Sequence, residues 1–140
     1  MVKADHAKRV DPTRADGYAE LGRRLLVAGR AILEDGDARH ASGLAILAIH
    51  AAIAFADSLC VRVGGKKSTS ADHQAAVQLL RAVMGTRLPA DMQQLLARVI
   101  SDKDRFEYQG YLATMKEARA MFSKAERFAA WAESTLTSHR

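Results

Sequence analysis

From Leu44 to Ala56 every residue but His50 is apolar. This run constrains the fold more than any other feature of the chain. Ala, Leu and Ile dominate it, and a stretch of this length with a cap before it and glycines after it reads as helix. Asp37 offers the N-cap and Gly64-Gly65 the stop, so the helix is expected from Asp37 to about Val63. Leu44, Ile46, Leu47, Ile49, Ile53, Phe55, Leu59 and Val61 place apolar side chains on nearly every side of it. Such a helix belongs in the middle of a bundle, covered from several directions. The apolar run itself is short of the roughly 18–20 residues that span a bilayer, so no membrane partner is expected.

The flanking segments also read as helices. Asp11-Pro12-Thr13 opens the first, with Thr13 and Asp16 resembling a capping box. Tyr18, Leu21, Leu25, Ala28 and Ile32 follow at steps of three and four as one apolar stripe, and Asp35-Gly36 ends it. After a loop over Lys66–Thr69, Ser70 or Asp72 caps a third helix that runs through Met84. A fourth begins near Pro89, carries Met92, Leu95, Leu96, Val99 and Ile100 on one face, and continues to Phe106. Thr114 and Glu117 form a second capping box before the last helix, whose apolar face is Met115, Ala118, Phe122, Ala125, Ala129, Ala132 and Leu136. The expected fold is all-α, an up-and-down bundle of about five helices over residues 13–138, preceded by a disordered tail over residues 1–12.

The 140 residues suit one domain with one core. A single Cys excludes an internal disulfide and a multi-Cys zinc site. His40, His50 and His73 lack close ligand spacing, and no metal or other cofactor is expected. The net charge of +5 favours a polyanionic partner, but divided at its loops the chain carries between −1 and +2 per segment, with no basic stripe. The densest cluster is Lys66-Lys67 after Gly64-Gly65. It reads first as a solvated loop and alternatively as a phosphate contact. The charged N-terminus lacks the apolar stretch of a signal peptide, so a cytoplasmic protein is expected.

Three places interrupt the apolar pattern. Gly43, His50, Asp57 and Gly64 recur every seven residues, close to two helical turns, and so share a narrow stripe on the central helix. His50 and Asp57 are either polar groups satisfied by neighbouring helices or along a solvent seam, or they line a groove. His73 stands in the first turn of the third helix, where the positive end of the helix dipole favours the neutral ring. It is either a packing residue or part of the same site. Lys103 falls on the apolar stripe of the fourth helix and can pair with Glu107 four residues on, while Arg105 reads as solvated with Arg98 and Asp102.

Several of these segments resemble the HEPN domain family. The likeness rests on Ile49-His50-Ala51-Ala52-Ile53-Ala54-Phe55-Ala56-Asp57-Ser58-Leu59, on Asp72-His73-Gln74-Ala75-Ala76-Val77-Gln78-Leu79-Leu80, on Lys103-Asp104-Arg105-Phe106-Glu107-Tyr108, and on the Ala-rich last helix. It covers about residues 15–136. The resemblance implies a homodimer built from equivalent helices and frequent pairing with a nucleotidyltransferase. It also implies, for some members, metal-independent ribonuclease activity in toxin–antitoxin pairs. The family's ribonuclease motif is an Arg, an adjacent polar residue, and a His a few positions on. The Arg steadies phosphate charge and the His moves the proton of a 2′-hydroxyl.

Here Lys103 stands in the Arg position and Asp104 in the polar one. The His position falls on Glu107 or Tyr108, and no His follows Lys103 before His139. A Lys lacks the guanidinium fork, and a phenol is a weak base at neutral pH. The sequence therefore reads as a degenerate, non-catalytic HEPN-like module that binds a partner protein, a nucleotide or RNA, with His50, Asp57, His73, Lys103, Asp104, Glu107 and Tyr108 converging on one cleft. The alternatives are a ribonuclease using Lys103 and Tyr108, with His50 or His73, and a scaffold without a ligand.

Overall fold

The computed structural model describes residues 7–70, 74–107 and 109–139. Six α-helices account for most of them: α1 (Ala15–Asp35), α2 (Ala41–Gly64), α3 (Gln74–Met84), α4 (Ala90–Ser101), the short α5 (Lys103–Glu107) and α6 (Met115–Ser138). The fold is the expected all-α bundle. Gly36 closes α1 in the left-handed conformation, at φ 74°, a backbone that a side chain disfavours. Thr114 and Glu117 form the full reciprocal capping box on α6. At the start of the chain the cap is Asp11 rather than Thr13: its carboxylate accepts from the Thr13 backbone, while Asp16 pairs instead with Arg62.

Of the tail expected over residues 1–12, residues 1–6 lie outside the described residues, and residues 7–12 carry a strand and the start of a turn. Strand β1 (Ala7–Arg9) pairs antiparallel with β2 (Lys66–Ser68), and the Val10 N–H donates to the Gly65 carbonyl at 2.9 Å. The supposed loop after α2 is therefore one half of a ribbon. A neighbouring strand distant in sequence completes its hydrogen bonds, and neither three-residue segment is long enough to show a strand period.

Helix α2 is the axis of the bundle. Leu44, Ile49, Phe55, Leu59 and Val61 are almost wholly buried, with α1, α3, α4, α5 and α6 packed around them. With the turn before it, this helix is long and apolar enough by length and composition to cross a bilayer, contrary to the count of the unbroken run alone. His50 and the few other polar residues do not offset the surrounding Leu, Ile and Ala. Most of the stretch is instead buried inside the bundle.

Helix α1 packs most closely by its small residues, with Leu26, Ile32 and Leu33 partly buried against the core beside them. Ala15, Ala19, Gly22 and Gly29 are buried, whereas Leu21 is 51% exposed and Tyr18 and Leu25 are only partly covered. Gly22 sits against the Phe55 ring, where a Cβ would meet Cε2 at 2.6 Å, and Gly29 sits against Phe122. Small residues let α1 lie close enough to α2 and α6 to cover these rings. Arg23 holds Glu133 in a two-pronged ion pair, at 2.6 Å for the shorter contact, and Arg30 pairs with Glu126 to complete the α1–α6 seam.

The fourth helix does not continue to Phe106. It stops at Ser101, and α5 begins at Lys103. Arg105 is not simply solvated: its guanidinium stacks on Phe106 and Tyr111, at 4.6 and 4.8 Å from the ring centres, and reaches Glu117 and Asp102. The apolar faces of α2 and α6 are consumed within the chain, since Phe122, Phe128, Ala125, Ala132 and Leu136 are all buried.

Candidate functional site

The seam of α2 that carries Gly43, His50, Asp57 and Gly64 is the side of this helix that its neighbours cover least, although Gly64 lies against Val83 of α3. Gly43, His50 and Gly64 are exposed, and Asp57 is partly covered. α1 flanks this seam on one side, with β2 and α5 on the other. A recess at its far end is lined by Gly64 and the β1–α1 segment, and two more open along its middle, with Ile53, Asp57 and Lys67 in the walls of both.

The smaller recess, of about 120 Å³, is polar. Lys67 and Ser68 come from β2, Ser70 from the segment after it, Lys103 from the first position of α5, and Asp57 from α2. The larger, of about 440 Å³, lies between α1 and α2 and is mainly apolar, with Tyr18, Leu21 and Leu25 on one wall and His50, Ile53 and Ala54 on the other. This groove exists because α1 packs most closely by its small residues and leaves Tyr18, Leu21 and Leu25 at its flank.

Asp57 and Lys67 stand where the recesses meet. Lys67 Nζ is 4.0 Å from Asp57 Oδ2 and 5.8 Å from the centre of the Tyr18 ring. Burial pushes the Asp57 carboxyl up to about 6, and the Lys67 charge pulls it back only in part. One turn further on, burial and the Asp57 charge push the Cys60 thiol up as well, so it stays protonated and unreactive.

Of the residues expected to converge, the structure brings His50 and Asp57 into one recess and Asp57 and Lys103 into the other. His73 and Tyr108 lie outside the described residues. Asp104 and Glu107 fall on α5, and their side chains are likewise outside the described set. Sequence reasoning missed Tyr18, Ser68 and Ser70 as wall residues. It treated Lys66 and Lys67 alike, but Lys66 is exposed and Lys67 reaches toward Asp57 on α2. The glycine pair that ends α2 was the available signal, because it returns the chain across the end of that helix.

Among the described residues, Asp35, Asp37 and His40 bring three ligand atoms within 4.8 Å of one another. Arg39 already occupies this cluster, with its guanidinium 2.8 Å from Asp37, and Asp37 also caps the turn before α2. It is a helix-start arrangement with its cation built in.

Compared with known protein families, with curated proteins and with solved structures, the chain gives no match. The side chains around the two recesses therefore carry the functional reading.

Proposed function

We propose that the chain is a cytoplasmic, dimeric, HEPN-like module that binds a nucleotide or RNA without cleaving it. One observation carries the reading: Lys67 and Lys103, far apart in sequence, line a single small recess with Ser68 and Ser70. Ammonium and hydroxyl groups are the donors that recognise a phosphate, and two of each meet here, with Lys67 also 4.0 Å from the Asp57 carboxylate. The neighbouring apolar groove offers surface for the rest of such a ligand. In the family resemblance Lys103 occupies the phosphate-steadying position, which agrees with a retained binding role. The support for a second copy is the exposure of Val27 at 72% and Leu112 at 80%, large apolar side chains left to solvent by the single chain.

The test is a calorimetric titration with nucleotides and with single-stranded RNA, in low and high salt. Binding that weakens in salt, and by about tenfold or more in Lys103→Ala, supports the reading. Absence of binding to both ligands rejects it.

A ribonuclease is the second reading, and Asp57 favours it. A carboxyl titrating near 6 beside a cation is suited to proton transfer at near-neutral pH.

A further inference from the structure

We infer that the outer edge of the β-ribbon receives an extended acidic segment of a partner protein, which adds as a third strand beside β1. This surface is separate from the two recesses at the middle of α2, and the inference does not depend on a ligand there.

The register supplies the electrostatic half of the case. Lys8 stands opposite Lys67 and Arg9 opposite Lys66, so the ribbon sets cation against cation at two of its three residue pairs. Like charges directly opposite one another destabilise a sheet. Lys67 has Asp57 near it, but Lys8, Arg9 and Lys66 form no ion pair among the described residues. Arg9 and Lys66 also share the wall of the recess at the end of α2, about 450 Å³, with Gly64, Gly65 and Pro12. The carboxylate in that wall, Asp11, already accepts from the Thr13 backbone and hydroxyl at 2.9 Å.

The ladder supplies the other half. Strand β2 packs against α2 and α3, which leaves β1 as the outer strand. Val10 continues the register opposite Gly65 and donates to its carbonyl. Hydrogen-bonded pairs alternate along an antiparallel ladder. Lys8 therefore turns its main chain toward β2, whereas Ala7 and Arg9 turn their N–H and C=O groups to the outer edge. No further strand pairs with that edge among the described residues. It presents both donors and acceptors, which another peptide backbone complements. Phosphate oxygens only accept, and would leave the outward carbonyls unmet.

Charge then selects the occupant. Lys8 and Arg9 on the edge repel a second copy of the same edge, the device by which natural sheets avoid pairing with themselves. A strand with carboxylates at alternate positions instead brings them beside Arg9 and Lys66, where repulsion becomes attraction.

The experiment is fluorescence anisotropy on the full chain. The probe is a short, labelled, end-capped peptide of alternating threonine and glutamate. Its comparators are the same peptide with glutamine for glutamate, the same peptide with every amide N-methylated, and a single-stranded RNA of matched charge. The acidic peptide is expected to bind with a Kd on the order of 10–100 µM, and the glutamine and N-methylated peptides about tenfold or more weakly. Arg9→Gln and Lys66→Gln are each expected to weaken the acidic peptide about threefold or more, with unchanged helicity by circular dichroism. An acidic peptide that fails to bind at about 1 mM overturns the inference. So does an affinity unchanged in both variants, or an N-methylated peptide that binds as tightly as its parent. RNA that binds more tightly than the peptide and loses that affinity in the two variants assigns the edge to nucleic acid and overturns it too. None of these outcomes bears on the nucleotide titration with Lys103→Ala, so the two readings fail separately.

Discussion

Lys67 Nζ stands 4.0 Å from Asp57 Oδ2, and this contact ties the β-ribbon to the middle of α2. It is too long for a close hydrogen-bonded ion pair, and burial outweighs it, leaving the Asp57 carboxyl up at about 6 against an ordinary 3.8. An acid whose pKa is raised by folding binds its proton more tightly in the folded state. Its contribution to stability is therefore fullest below pH 3.8, declines as pH rises toward about 6, and is level above that. Asp57→Asn removes the buried charge. It is expected to stabilise the protein at pH 7.5 by on the order of 1–3 kcal/mol and to change little near pH 4. Urea unfolding at the two pH values measures this, and an equal effect at both would show that the carboxyl is not strained by burial.

The close approach of α1 predicts opposite outcomes for glycines on its two faces. Gly22 has no room for a Cβ beside Phe55, nor has Gly29 beside Phe122. Gly22→Ala and Gly29→Ala are each expected to destabilise by about 1–3 kcal/mol, through displaced rings and a helix pushed outward. Gly17 is exposed, and a Cβ added there would meet nothing within 4 Å. At that position alanine is expected to stabilise by up to about 1 kcal/mol, because it restricts the unfolded chain and favours helix. Thermal denaturation of the three variants separates the faces.

That same helix shows where the sequence could be read and where it could not. The all-round apolarity of α2, the cap at Gly36 and the Thr114–Glu117 box are local signals, and the structure contains each of them. Periodicity selected Tyr18, Leu21, Leu25, Ala28 and Ile32 on α1, and of these Ile32 packs against the core. The most buried positions are Ala15, Ala19, Gly22 and Gly29, where closeness to Phe55 and Phe122 matters more than side-chain size, with Leu26, Ile32 and Leu33 partly buried against the core beside them. The same limit applies to the candidate site. His50, Asp57 and Lys103 stood out by interrupting apolar faces. Lys67 was hidden beside Lys66, since only pairing with β1, a long way back in the chain, fixes which of the two turns inward.

Association of two copies is a separate expectation. Since α2 and α6 spend their apolar faces inside the bundle, Val27 on the outer side of α1 and Leu112 before α6 are the better places to look. Light scattering at tens of micromolar, the order appropriate to a modest interface, is expected to give about twice the 15.3 kDa chain mass. Val27→Glu or Leu112→Glu is expected to shift the population toward monomer, because a charge buried in an interface costs several kcal/mol. A monomer at every concentration would remove the dimer from the proposed function and leave the recesses untouched.

The last expectation is that RNA stays intact. The resemblance places Lys103 where an Arg would steady phosphate charge, and no His follows it within reach along α5. A positioned acid–base group typically contributes about 10²–10⁴-fold, so its loss should bring cleavage close to background even where a phosphate still binds. Asp57 is the group that could replace it, since its carboxyl is pushed up to about 6 and it shares the polar recess with Lys103. Incubation with structured and unstructured RNA in EDTA decides the matter. The wild type should leave both intact, as should a Lys103→Ala, Tyr108→Phe double variant. Cleavage by the wild type that vanishes in the double variant and in Asp57→Asn would establish the ribonuclease instead. Cleavage rising with pH through about 6, lost in Asp57→Asn but kept in His50→Gln and His73→Gln, would identify the Asp57 carboxylate as its base, because only the deprotonated form accepts the 2′-hydroxyl proton.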